Sequence, residues 1–289
     1  MISPYVRRLR LAAELRTLRT QRGLTHEQLA KKIGQSRASI SRLENGHVID
    51  QADILKILDA LEVEGDRWTQ LLTIAREAGE RGWWESNKEM GRRQALSADL
   101  EAGASTIREF QMSFLPGLLQ TADFARARVD AEGLGETLGR AADRAVEARN
   151  GRQRMLRRPG GPTYQVIIDE LAIRRRAAPA EIVKAQLYHV TARVNGDPKT
   201  TVHVLPVDAA IENFSVPRSA FSIYTFPDPG DPTVVAVDTV TDDLVLTDEH
   251  DVKRYEDLFN RLCDAALPVT ESLRFMIGTA AAVPPFSGR

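Results

Sequence analysis

The 289-residue chain has one cysteine, Cys263, so no disulfide can close within it and no cysteine-rich metal site exists. Long apolar runs are missing too. Nothing approaches the roughly 20 residues of a membrane span, and the opening MISPYVRRLRLAAEL lacks the apolar stretch of a secretory signal. These absences predict a cytoplasmic protein. Aromatics make up only 6% of the chain and are unevenly spread, with Phe214, Phe221, Tyr224 and Phe226 close together. The common catalytic signatures are absent: there is no HExxH, no GxxxxGK[ST] and no GxSxG. Gly133, Gly135 and Gly139 form a glycine-rich run, but no strand leads into it, as a phosphate loop would require. The five histidines, His26, His47, His189, His203 and His250, are scattered. Cys263 falls on an apolar helical face and reads as core. The expectation is a protein that is not an enzyme, with no catalytic residue, no metal and no cofactor.

A net charge of −1 conceals an asymmetry. Residues 1–50 hold ten Lys or Arg against four Asp or Glu, and the rest of the chain holds 29 against 36. A basic head on an acidic body suits a protein that meets phosphate at one end.

Within that head, Leu24 to Gly46 reads LTHEQLAKKIGQSRASISRLENG. Thr25 supplies the acceptor a helix start needs, and Gln28 three residues later completes a capping box. Leu29, Ala30 and Ile33 share one helical face. Gly34 permits the left-handed turn that ends the helix, and Ser36 caps a second one. At about 100° per residue, Ile40 and Leu43 of that second helix fall together. Arg37, Ala38, Ser41 and Arg42 fall opposite. One face can pack while the other presents guanidinium groups, a hydroxyl and a methyl, which are groups that read base edges in a DNA major groove. Asn45-Gly46 is a left-handed stop.

The run L-T-x-x-x-L-A-x-x-x-G-x-S-x-x-x-I-S-R-x-E-N-G is similar to the helix-turn-helix of the Xre family, the lambda-repressor-like regulators. That resemblance implies double-stranded DNA as partner. It implies base reading by Arg37 and Arg42, and phosphate positioning by Ser36, Asn45 and His26, the last standing where these domains often carry Gln.

The remaining head is helical by periodicity. Val6 to Arg22 carries Leu9, Leu11, Leu15 and Leu18, surrounded by Arg7, Arg8, Arg10, Arg16 and Arg19. Asp53 to Leu61 puts Ile54, Leu55, Leu58 and Leu61 on one stripe, and Trp68 to Ala78 follows. Composition then shifts, so the expected organisation is a head of residues 1–78, a connector of 79–96, a second domain of 97–280 and a tail of 281–289. Trp83-Trp84 in the connector reads as an anchor. Beyond it, Thr106 to Phe114, Tyr164 to Asp169, Thr201 to Leu205, Ala220 to Phe226 and Val234 to Val237 read as strands. Helices are expected at ADFARARVDA after Thr121, and over 136–158, 180–194, 248–267 and 270–276. Asp242-Asp243 reads as a solvated turn, and Arg174-Arg175-Arg176 either meets an anion or faces water. The fold expected is an N-terminal all-α lambda-repressor-like helix-turn-helix domain followed by an α+β domain with a mixed sheet.

The second domain has a likeness as well. FLPGLLQTADFARARV, DELAIRRR, AEIVKAQLYHV, TTVHVLPVDA and HDVKRYEDLFNRL resemble a C-terminal domain of unknown function in actinobacterial regulators, where it follows an Xre-type head. The resemblance implies an antitoxin-like or developmental regulator encoded beside a small partner protein. A homodimer is expected, because two heads on half-sites double the base contacts of one. Phe214 and Tyr224 are the candidate contacts for a partner or ligand, since aromatics concentrate at binding hot spots; plain core is the other reading of that segment.

Overall fold

The computed structural model describes residues 1–47, 50–86, 90–131, 138–239 and 243–284, with side chains undescribed at Ser86 and at 138–142. Gly133, Gly135, Asp242 and the last five residues lie outside that set. The chain divides into two compact units.

The first unit comprises Met1–Lys88, Ala95–Gly103 and Phe226–Pro232. Its helices are α1 (Pro4–Gln21), α2 (His26–Ile33), α3 (Arg37–Leu43), α4 (Gln51–Ala60) and α5 (Gly65–Ala78), then the single turn α6 (Trp83–Ser86) and most of α7 (Arg92–Gly103). Each of the first four starts on a side-chain cap: Ser3, Thr25, Ser36 and Asp50. Leu11 and Leu15 of α1, Leu29 and Ile33 of α2, Ile40 and Leu43 of α3, Ile57 and Leu58 of α4, and Leu71 of α5 form one core. Trp84 is buried in this unit, as an anchoring role requires.

Two segments expected in the second domain pack here instead. Helix α7 docks on the start of α1: Asp99 accepts hydrogen bonds from the Ser3 hydroxyl and, at 3.2 Å, from the Tyr5 amide. Burial pushes the Asp99 carboxyl up to about 6. The segment Phe226–Pro232 brings Asp228 and Asp231 to the arginines of α1. Gly230 lies close under the Arg10 guanidinium, which would have to shift to admit a Cβ there.

The second unit comprises Glu89–Gln94, Ala104–Thr225 and Thr233–Arg289. Its strands are β1 (Thr106–Gln111), β2 (Thr163–Asp169), β3 (Thr200–Leu205), β4 (Phe221–Thr225), β5 (Val234–Val237) and β6 (Leu244–Leu246). They form one six-stranded sheet in the order β3-β2-β1-β4-β5-β6. The first three strands are parallel and the last three antiparallel, with β1 between the two halves. Parallel neighbours need crossovers. These are α8 (Ala122–Ala131) with α9 (Leu138–Arg157), and α10 (Glu170–Arg174) with α11 (Ala180–Gly196). Helices α12 (Glu249–Ala265) and α13 (Val269–Ala282) complete the unit. Phe110, Ile167, Phe221, Ile223, Val235 and Phe259 build the core beneath α12.

The fold is therefore an all-α helix-turn-helix region followed by an α+β domain. The strand β6 and the helix α7 had no clear signal in the sequence, being three residues long and weakly amphipathic respectively. Helix α13 runs to Ala282, well past the expected end at Met276. Asp243 is not solvated: its carboxylate lies 2.6 Å from Arg93 and is nearly buried. His203 is a structural residue, its Nδ1 lying 3.0 Å from the Leu267 carbonyl oxygen. Along the same edge strand, the Val204 amide donates to Ser272 Oγ at 2.8 Å, so the turn into α13 covers that edge of the sheet. No helix among the described residues is long and apolar enough to cross a membrane.

Candidate nucleic-acid interface

The interface is built from α2, the turn at Gly34, and α3. The capping box is complete: Thr25 Oγ1 accepts from the Gln28 amide at 3.2 Å, and Gln28 Oε1 accepts from the Thr25 amide at 2.8 Å. Gly34 stands at φ +70°, a conformation an L side chain resists. Ser36 Oγ accepts from the Ser39 amide at 3.1 Å and starts α3. The turn is tied down from below, because Gln35 Nε2 donates to Asp53 of α4 at 2.7 Å.

Helix α3 divides as its angles predict. Ile40 and Leu43 are buried. Arg37, Ala38 and Arg42 are exposed, and Ser41 is half-buried. Asn45 is exposed, with its Nδ2 donating to the Ser41 carbonyl at 2.7 Å. Ser36 is exposed and keeps its hydroxyl hydrogen for a further acceptor.

His26, expected as a phosphate contact, also has a partner within the unit. Its Nε2 lies 3.0 Å from Glu44 Oε2. Glu44 is 3% exposed and is the hub of this unit. Arg19 grips it from α1 in a two-point contact, Nε at 2.6 Å and Nη2 at 2.8 Å. One carboxylate thus joins α1, the start of α2 and the end of α3. Burial pushes the Glu44 carboxyl up, but Arg19 and His26 outweigh it and hold it below the ordinary carboxylate range. Sequence reading missed this hub. The only signal was an acid following an otherwise basic helix, at a position whose partners lie 18 and 25 residues away.

Tertiary contacts sort the positive charge of the head. Arg7 pairs with Glu77, Asp228 and Asp231; Arg10 with Asp228 and Asp231; Arg8 with Asp99; Arg16 and Arg19 with Glu44; Arg22 with Glu62. All six precede α2. Lys31, Lys32, Arg37 and Arg42 have no side-chain partner among the described residues, and all four are exposed on α2 and α3. The first set neutralises carboxylates within the unit, and the second is open to an external anion.

The two aromatic candidates of the second unit separate. Phe214 is 94% exposed, in a turn where it and Asn213 both adopt positive φ. Tyr224 is 5% exposed, in β4 between β1 and β5. It is core, because both faces of that strand are covered, and it offers no contact surface. Among the described residues no group of three or more His, Cys, Asp or Glu is placed to hold a metal ion.

A capped helix, a left-handed glycine turn and a second helix with an open basic face define a helix-turn-helix DNA-binding unit. Residues 10–71 match the family described as a helix-turn-helix domain. Residues 94–277, well over half the chain, match the family described as "Domain of unknown function (DUF5753)", and the chain belongs to that family. No curated protein and no solved structure matches the chain.

Proposed function

We propose that the chain is a sequence-specific transcriptional regulator of the Xre type, in which α3 enters the DNA major groove and the second unit dimerises and receives a regulatory signal. One observation carries the reading: the four cations of the basic head without a side-chain partner among the described residues all lie on α2 and α3. Arg37 and Arg42 read bases, while Ser36 and Asn45 position phosphates. The second unit acts as a receiver and not as a catalyst. Footprinting on the DNA upstream of its own reading frame tests this. A discrete palindromic site should be protected, and binding should weaken steeply with salt as counterions return to the phosphates. Loss of either arginine should cost about 1–3 kcal/mol and relax specificity at one position. If Arg37→Ala and Arg42→Ala both leave the footprint unchanged, α3 is not the reading helix. Sedimentation should give a dimer at micromolar concentration; a monomer that stays monomeric on operator DNA counts against dimeric reading.

A second reading is an antitoxin-like module that holds a small partner protein. The observation favouring it is the segment after β3, in which Val207, Phe214 and Val216 are each exposed. Phe214→Ala should then abolish capture of the product of the neighbouring small gene while leaving the footprint intact.

A further inference from the structure

The second unit contains a cavity of about 470 Å³ among α8, the segment joining α10 to α11, and the end of α13. Pockets of this size take small organic ligands. Its chemistry is lopsided. Ala127, Ile173, Val183 and Val283 give apolar walls, and Arg128, Arg174 and Arg176 bring the charge. No acidic residue lines it among the described residues.

The three arginines differ in how far they are engaged. Arg174 is held by Glu170 at 2.5 Å and lies 4.9 Å over the Phe275 ring, so a carboxylate already answers its charge. Arg128 lies 4.4 Å over the Phe114 ring and its Nη1 donates to the Ala177 carbonyl oxygen at 3.5 Å, so it too is already engaged. Arg176 is exposed and has no hydrogen-bond or ion-pair partner among the described residues. The 17-residue helix α11 also begins here: Pro179 caps it without a side-chain acceptor, and both Pro179 and Ala180 line the cavity. Its positive end therefore adds to the arginine field.

We infer that this cavity is a binding site for an amphiphilic organic anion, with its apolar body against Ile173 and Val183 and its carboxylate or phosphate at Arg176 and the start of α11. A bare inorganic anion would leave most of the volume unfilled, and a neutral apolar molecule would leave the cationic end unanswered. Occupancy here is independent of whether α3 reads DNA.

Calorimetric titration of the full chain with decanoate, decyl phosphate, decanol and inorganic phosphate tests it. At least one decyl anion should bind, one per chain, with decanol and inorganic phosphate each at least tenfold weaker. The two decyl anions distinguish a carboxylate head from a phosphate head. Arg176→Glu, at an exposed position whose loss does not threaten folding, should weaken binding at least tenfold. Thr279→Trp should fill the cavity from α13 and abolish binding without changing the melting temperature of the unliganded chain. Absence of binding by both decyl anions at millimolar concentration overturns the site, as does equal binding of decanol. So does an Arg176→Glu variant that titrates like the parent.

Discussion

Each unit buries a glutamate, and the two are treated in opposite ways. Glu44 in the first unit is 3% exposed and Glu109 on β1 is 7% exposed. Burial alone would raise both carboxyls. Glu44 is answered by Arg19 and His26 and ends below the ordinary range. Glu109 is answered by neutral donors, Tyr164 Oη at 2.5 Å and Gln111 Nε2 at 2.9 Å. Burial dominates there, Asp238 adds repulsion against the pull of Arg152, and the carboxyl is pushed up to about 7. At Glu44 the charged partners outweigh burial, and at Glu109 burial outweighs its hydrogen-bond donors, so one carboxylate holds its unit together at neutral pH and the other works against it.

The sharpest way to break the contrast is Glu44→Ala. It leaves Arg19 buried without its carboxylate, which should destabilise the first unit by about 3–5 kcal/mol. Thermal unfolding followed by circular dichroism should show the first unit melting earlier, and unaltered melting would remove Glu44 from its central place. The pH dependence follows the same sign. A carboxyl held below its ordinary 4.5 contributes stability that is present above that value and is lost as pH falls through its lower folded value.

Glu109 should behave inversely, and with a somewhat smaller effect. Between its ordinary 4.5 and about 7 the folded chain binds more protons than the unfolded one, so stability declines as pH rises through that window. The shift corresponds to about 3 kcal/mol across the window. Denaturant titrations at several pH values should show this slope, and Glu109→Gln should flatten it. A slope that persists in the variant would assign it to another group.

The smallest expected effect separates the caps from the charges. Thr25→Ala removes the acceptor at the start of α2 and should cost about 1 kcal/mol. His26→Ala should cost a similar amount by weakening the Glu44 cluster. Neither should relax base specificity as loss of Arg37 would. If His26→Ala instead lowers DNA affinity with unchanged stability, its phosphate role returns.

Much of the interface was legible because its signals are local. Thr25 and Gln28 are three residues apart, Gly34 marks a turn by its own backbone freedom, and Ile40 and Leu43 declare a face by angular spacing. The strands of the second unit except β6 were legible from their apolar runs, with ends shifted by a few residues. Tyr224 was ambiguous because periodicity cannot tell whether the second face of a strand will be covered. Placing α3 as a helix needed only residues 36–43; knowing that Glu44 closes it onto α1 needed Arg19 and His26 in space.

The sequence by itself determined where α2 and α3 start and stop, which face of α3 is apolar, and that a mixed α+β domain follows. These depend on capping groups, left-handed glycines and the 3.6-residue period, all of which act over a few neighbours. Only the tertiary structure decided which arginines are open to DNA. Arg7 and Asp228 stand 221 residues apart, as do Arg10 and Asp231. An ion pair forms only between groups brought within a few ångströms, and that proximity is a property of the folded chain.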